Sequence, residues 1–131
     1  MDWEPLIEVA RAARERAYAP FSSFQVGSAV AADDGAIYPG CNVENRTFGA
    51  TICAERVAVT SAVARGAKRL AAVAVVTDTE PPAPPCGICL EVLTEFGGPD
   101  LPILLVSTRG ARQEARLGDF LPHPFDFTAP S

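Results

Sequence analysis

Apolar residues Leu6, Ile7, Val9, Ala10, Ala13 and Ala17 recur at helical spacing around Pro5, a residue suited to a first helical turn. They predict an amphipathic helix running to about Tyr18, before Pro20 stops it. Phe24–Ala32 is short, apolar and partly β-branched, and the turn Asp33-Asp34-Gly35 leads from it into Ala36–Tyr38, so the pair reads as a hairpin. Thr51–Arg65 is rich in Ala and Val with no breaker before Gly66 and predicts a second helix. The unbroken apolar run Leu70–Val76 reads as a strand buried on both faces. Gly87–Phe96 predicts a third helix, Gly97-Gly98-Pro99-Asp100 ends it, and Leu101–Val106 predicts another buried strand. Helices and strands in this order give an α/β fold with a mixed sheet.

Composition narrows the function classes. At 131 residues the chain is the size of one domain, expected to span 1–131, and long enough to bury a core. Leu70–Val76, the longest apolar stretch, is far too short to cross a bilayer, and the acidic start Met1-Asp2-Trp3-Glu4-Pro5 lacks the basic region of a signal peptide. The cytoplasm is therefore the expected compartment. A net charge of −5 argues against a surface that tracks nucleic-acid phosphates, because such surfaces rely on Lys and Arg. Arg11, Arg14, Glu15 and Arg16 alternate in sign as on a solvated helix face. A small molecule is the expected partner, with no nucleic-acid polymer and no membrane.

Four cysteines without an export signal read as metal ligands more readily than as disulfides. Cys53-Ala54-Glu55-Arg56, followed by Pro85-Cys86-Gly87-Ile88-Cys89, supplies three soft ligands and a nearby carboxylate. Three cysteines leave zinc's fourth position open to water, as catalytic sites do, and a non-ligand Glu beside a Pro-Cys-x-x-Cys segment is the arrangement of the zinc deaminases. Cys53 lies near the start of one predicted helix and Cys86 to Cys89 lead into another, so two positive dipole ends can face the metal. Three thiolates on Zn²⁺ leave one net negative charge, which Arg56 is placed to offset. A structural Cys₄ site that adds Cys41 is the competing interpretation.

The segment Tyr18-Ala19-Pro20-Phe21-Ser22-Ser23-Phe24-Gln25-Val26-Gly27-Ser28-Ala29, then Cys41-Asn42-Val43-Glu44-Asn45, then the two cysteine segments, and finally Leu121-Pro122 and Phe125 resemble the small homotetrameric cytidine deaminases along nearly the whole chain. The resemblance implies a three-layer α/β/α fold with about five strands and one Zn²⁺ per subunit on Cys53, Cys86 and Cys89. It also implies that Glu55 relays protons and that Arg56 hydrogen-bonds the ligand thiolates. Phe24 packs on the pyrimidine in this comparison, Asn42 and Glu44 bond the ribose hydroxyls, and the Ala54 backbone contacts the base. Phe125 closes a neighbouring subunit's site, in a homotetramer. The implied reaction converts cytidine and 2′-deoxycytidine to the uracil nucleosides and ammonia, as in pyrimidine salvage.

The chain departs from that pattern at Leu90-Glu91, where the family usually has Arg-Gln, and at Phe48, where it often has Tyr. These leave room for a deaminase of a modified cytosine nucleoside, or of a nucleoside antibiotic such as blasticidin S. From another class, a zinc-stabilised binding protein without catalysis is the alternative. His123, between two prolines, reads as a loop residue.

Overall fold

The computed structural model of the chain describes residues 1–126. Helix α1 (Glu4–Arg14) carries Pro5 in its first turn and buries Leu6, Ile7, Ala10 and Ala13, as the spacing predicts. It ends four residues before Tyr18. The chain leaves the helix there because Tyr18 pairs with a distant segment instead, its N–H donating to the Asn42 carbonyl while its own carbonyl accepts from the Glu44 N–H.

Strand β1 (Val26–Ala32) and strand β2 (Ile37–Cys41) form the expected hairpin, with Ala29 opposite Pro39. β2 is longer than the apolar pattern suggests. It tolerates Pro39 because it is an edge strand, where a missing N–H costs least. Helix α2 (Ala54–Ala64) starts three residues later than Thr51, since Ile52 bridges to Val43. Strand β3 (Leu70–Thr77), helix α3 (Gly87–Phe96) and strand β4 (Pro102–Ser107) follow within a residue of expectation. Strand β5 (Arg112–Arg116) and the short helix α4 (Leu117–Phe120) lie outside the expected elements.

The five strands take the order β2-β1-β3-β4-β5, with β3 and β4 parallel and the other pairs antiparallel. Alternation along β3 divides the core between two faces. Ala72, Ala74 and Val76 face Trp3, Leu6, Ile7 and Ala10 of the α1 layer, whereas Val73 and Val75 join Ala58, Val59, Ala62, Leu90 and Leu93 of α2 and α3. The result is the three-layer α/β/α arrangement.

Two glycines set the distance between layers. A Cβ at Gly27 would lie 2.0 Å from the Ala10 carbonyl oxygen, and one at Gly40 would lie 2.2 Å from that of Ala54. Gly40 thus lets the first turn of α2 rest directly on β2.

Candidate metal centre and active site

Cys53 is the N-cap of α2 and Cys86 the N-cap of α3, with Cys89 inside the first turn of α3. Both helices therefore present free N–H groups and positive dipole ends to the same point. Their three sulfurs lie within 4.8 Å of one another, with Cys53 to Cys86 at 3.7 Å and Cys86 to Cys89 at 3.5 Å. Ligand bonds of ~2.3 Å in a tetrahedron require sulfurs ~3.8 Å apart. Two of the three separations match that spacing, and the donor set suits zinc. Among the described residues Cys41 does not join this group; it ends β2 half-buried in a groove with Val9 and Val57. Among the described residues the four-cysteine closure does not form, so a zinc held by these three sulfurs would have its fourth position open to water.

Charge at the centre follows from these contacts. Cys53 is held well below the ordinary thiol range by hydrogen bonds with Cys89 and Arg56, while the hydrogen bond to Cys53 and burial push Cys89 up. Arg56 donates from Nη2 to the Cys53 sulfur at 3.5 Å and to the Thr51 carbonyl at 3.1 Å. Its buried Nε has no hydrogen-bond partner among the described residues. The guanidinium thus lies against the Cys53 sulfur.

Glu55, two residues beyond Cys53, is 4% exposed. Burial pushes its carboxyl up to about 7, with the neighbouring Cys53 charge adding to the effect and Arg56 opposing it. A carboxyl poised near neutrality both accepts and returns protons at cellular pH.

The centre opens into a cavity of about 270 Å³ whose wall includes Phe24, Asn42, Glu44, Ala54 and Glu55, together with Cys53 and Cys86. The cavity thus collects these side chains from the segments before β1 and after β2 and from the starts of α2 and α3. Asn42 and Glu44 already brace the loop above it. The Asn42 Oδ1 accepts from the Val26 N–H at 2.9 Å and its Nδ2 donates to the Phe24 carbonyl at 2.7 Å. The Glu44 carboxylate accepts from the Phe21 and Ser22 N–H groups and from the Ser22 hydroxyl. One hydrogen and one lone pair remain on Asn42, and about one acceptor site on Glu44, for a bound molecule.

Phe125 does not line this cavity and is 80% exposed. His123 is exposed on the same terminal segment, and Trp3 is buried with Nε1 donating to Glu114 at 3.2 Å. Leu90 packs in the core beneath α3 and Glu91 faces solvent. Phe48 remains at the cavity wall, edge-on to Phe21 at 6.3 Å between ring centres. Sequence reasoning passed over Ser22, Thr51 and Thr77, which also line the cavity. A signal existed for Thr77, a polar residue ending an apolar parallel strand, where ligand crevices of α/β sheets gather.

Comparison with known proteins agrees with this geometry. A family model described as the cytidine and deoxycytidylate deaminase zinc-binding region matches residues 2–105. The cytidine deaminase of Sporosarcina psychrophila is 46% identical over 125 residues, covering 95% of this chain and 92% of that protein. The crystal structure of cytidine deaminase from Burkholderia pseudomallei superposes with a TM-score of 0.91 at 46% identity, over 95% of this chain and all of the other, 100%. That of the Mycobacterium tuberculosis cytidine deaminase gives 0.84 at 41% identity, over 97% and 99%.

Proposed function

The chain belongs to the zinc-binding cytidine and deoxycytidylate deaminase family, and from that premise we propose that it hydrolyses cytidine and 2′-deoxycytidine to uridine and 2′-deoxyuridine with release of ammonia. The observation that carries the reading is a buried carboxyl, Glu55, set beside a three-sulfur cluster at the wall of a nucleoside-sized cavity. Cys53, Cys86 and Cys89 hold the zinc in this reading. When bound, it supplies Lewis-acid polarisation that makes water a nucleophile at neutral pH.

The chain's own residues do the rest. Phe24 offers an aromatic face to the pyrimidine, and the spare hydrogen-bonding capacity of Asn42 and Glu44 selects the sugar hydroxyls. The Ala54 side chain is small enough to let the base approach the backbone. Glu55 takes a proton from the attacking water and passes it to ring N3, which leaves C4 electrophilic. As the C4–O bond forms, the remaining hydroxyl proton passes through Glu55 to the 4-amino group. The C4–N bond then breaks, ammonia leaves, and the ring keeps one proton on N3 and a carbonyl at C4. Arg56 holds its charge on the thiolate side throughout.

The same reading takes the active form to be a homotetramer in which Phe125 reaches a neighbouring subunit's cavity. It also places the protein in the cytoplasm, where a reducing milieu keeps the thiols available; the four cysteines are free in this structure. The test follows the ultraviolet absorbance of cytidine with zinc-loaded protein, using Glu55→Gln as the blank. Conversion by the parent alone supports the assignment. A zinc-loaded parent that leaves cytidine unchanged overturns it.

A further inference from the structure

The connection from β3 to α3 delivers Cys86 to the cluster, yet it has little means of holding itself. Residues Asp78-Thr79-Glu80-Pro81-Pro82-Ala83-Pro84-Pro85 include four prolines, which lack an N–H to donate. The connection is tied at its start, where the Asp78 carboxylate accepts from the Thr108 hydroxyl and the Arg109 Nε. It is tied at its end, where α3 begins on Cys86. Between these points, Pro82 and Pro85 are buried, but apolar burial is non-directional and does not fix register.

Thr77 supplies the directional tie. Its side chain is 1% exposed and follows Val73 and Val75 on the face of β3 beneath α2 and α3. Its Oγ1 accepts from the Ala83 N–H at 3.1 Å and pairs with the Thr79 hydroxyl at 3.0 Å. Among the described residues these are the hydrogen bonds that hold residues 79–85. Ala83 and Pro84 line the cavity together with Cys86, so the tie acts on the cavity wall and on the third residue beyond it at once.

We propose that Thr77 is a positioning residue for the metal centre: its hydroxyl fixes the proline-rich connection through Ala83, and so fixes Cys86 against Cys53 and Cys89. This inference rests on the proposed deaminase function only for its catalytic readout. A hydroxyl on a partly apolar wall is otherwise costly to bury, and here its cost is offset because it satisfies the one backbone donor that the loop turns toward the strand.

The test compares zinc-loaded parent, Thr77→Val and Thr77→Ser. Valine keeps the branched shape without the hydroxyl, and serine keeps the hydroxyl. The rate of zinc transfer to a chromophoric chelator is expected to rise about tenfold or more in Thr77→Val and to return to within about twofold of the parent in Thr77→Ser, the scale seen when a group supporting a metal ligand is removed. Cytidine kcat/KM is expected to follow the same order. Equal zinc release by parent and Thr77→Val overturns the proposal. A parent inactive on cytidine overturns the proposed function instead, since chelator transfer needs no substrate. Should Thr77→Val not fold, amide hydrogen exchange in the zinc-loaded parent decides: the Ala83 N–H is expected to be protected well beyond that of Glu80, and equal exchange of the two overturns the proposal.

Discussion

Two carboxylates at the same cavity are driven in opposite directions by their surroundings. Desolvation of Glu55 outweighs the backbone hydrogen bond and the Arg56 charge that favour its ionised form, so its carboxyl rises to about 7. Glu44 is equally inaccessible to solvent, but the Ser22 hydroxyl and two backbone N–H groups bond its charged form, and its carboxyl is held below the ordinary value of 4.5. The first is suited to moving protons and the second to staying ionised. Glu55→Gln keeps the shape and removes the relay, so turnover should fall by ~10²–10⁴ while zinc content, measured on the same sample, stays at the parent's level. Loss of zinc along with activity would mean that Glu55 supports the metal rather than the proton transfers. For Glu44 the sign is that of a depressed carboxyl: its stabilisation is present above the unfolded value and is lost as pH falls through the lower folded one. Glu44→Gln cannot ionise, so its melting temperature should lie below the parent's at neutral pH and the gap should close in acid below 4.5. Parallel melting curves across that range would show that the loop from Phe21 to Phe24 does not depend on the charge.

Among the elements, those whose residues face both layers were the most legible. β3 is buried on both faces and reads as one apolar run, and α3 is bounded by Cys86-Gly87 and Gly97-Gly98, so both lie within a residue of expectation. β5 was not legible, because Arg112-Gln113-Glu114-Ala115-Arg116 is an edge strand with nearly every side chain in solvent and no apolar alternation. The end of α1 was misplaced because Ala17 and Tyr18 continue the helical period, while the backbone of Tyr18 is claimed by Asn42 and Glu44 from across the fold. The cysteines and Glu55 were visible because their chemistry is written into two short segments. Thr77 carried a signal as a polar end to an apolar strand, but the partners of Ser22 and Thr77 were not legible, because tertiary folding alone brings their hydroxyls to Glu44 and Ala83. Gly40 belongs to the same class: nothing local demands it, and the packing of α2 does. Gly40→Ala would put a methyl 2.2 Å from the Ala54 carbonyl and 2.4 Å from the Ala58 nitrogen, both backbone atoms that cannot step aside. It should cost ~1–3 kcal/mol or more by thermal melting and speed zinc loss, because the displaced turn holds Cys53. Unchanged melting would mean that α2 shifts freely on the sheet.

For the whole molecule, the distribution of exposed apolar surface favours a multi-chain active site. Tyr18, Phe21, Phe24, Phe48, Ile52 and Ile88 are each at least 41% exposed, and two of them, Phe24 and Phe48, line the cavity that holds Glu55. A monomer gains nothing from leaving so many large apolar side chains in water, whereas an interface between copies buries them. Phe125 is exposed and outside its own chain's cavity wall, and in the proposed homotetramer it is the residue that one subunit would lend to another. Sedimentation should give a mass four times the 13.8 kDa of the chain. Sharing has a sharper consequence than mass. Glu55→Gln subunits lack the proton relay but carry Phe125, and Phe125→Ala subunits carry the relay but lack the donated aromatic. If each site draws these residues from different chains, unfolding and refolding an equimolar mixture should create some sites with both, and cytidine turnover should exceed the average of the two separately refolded variants. If both residues serve the site of one chain, no new combination can arise, and the mixture will show that average and no more.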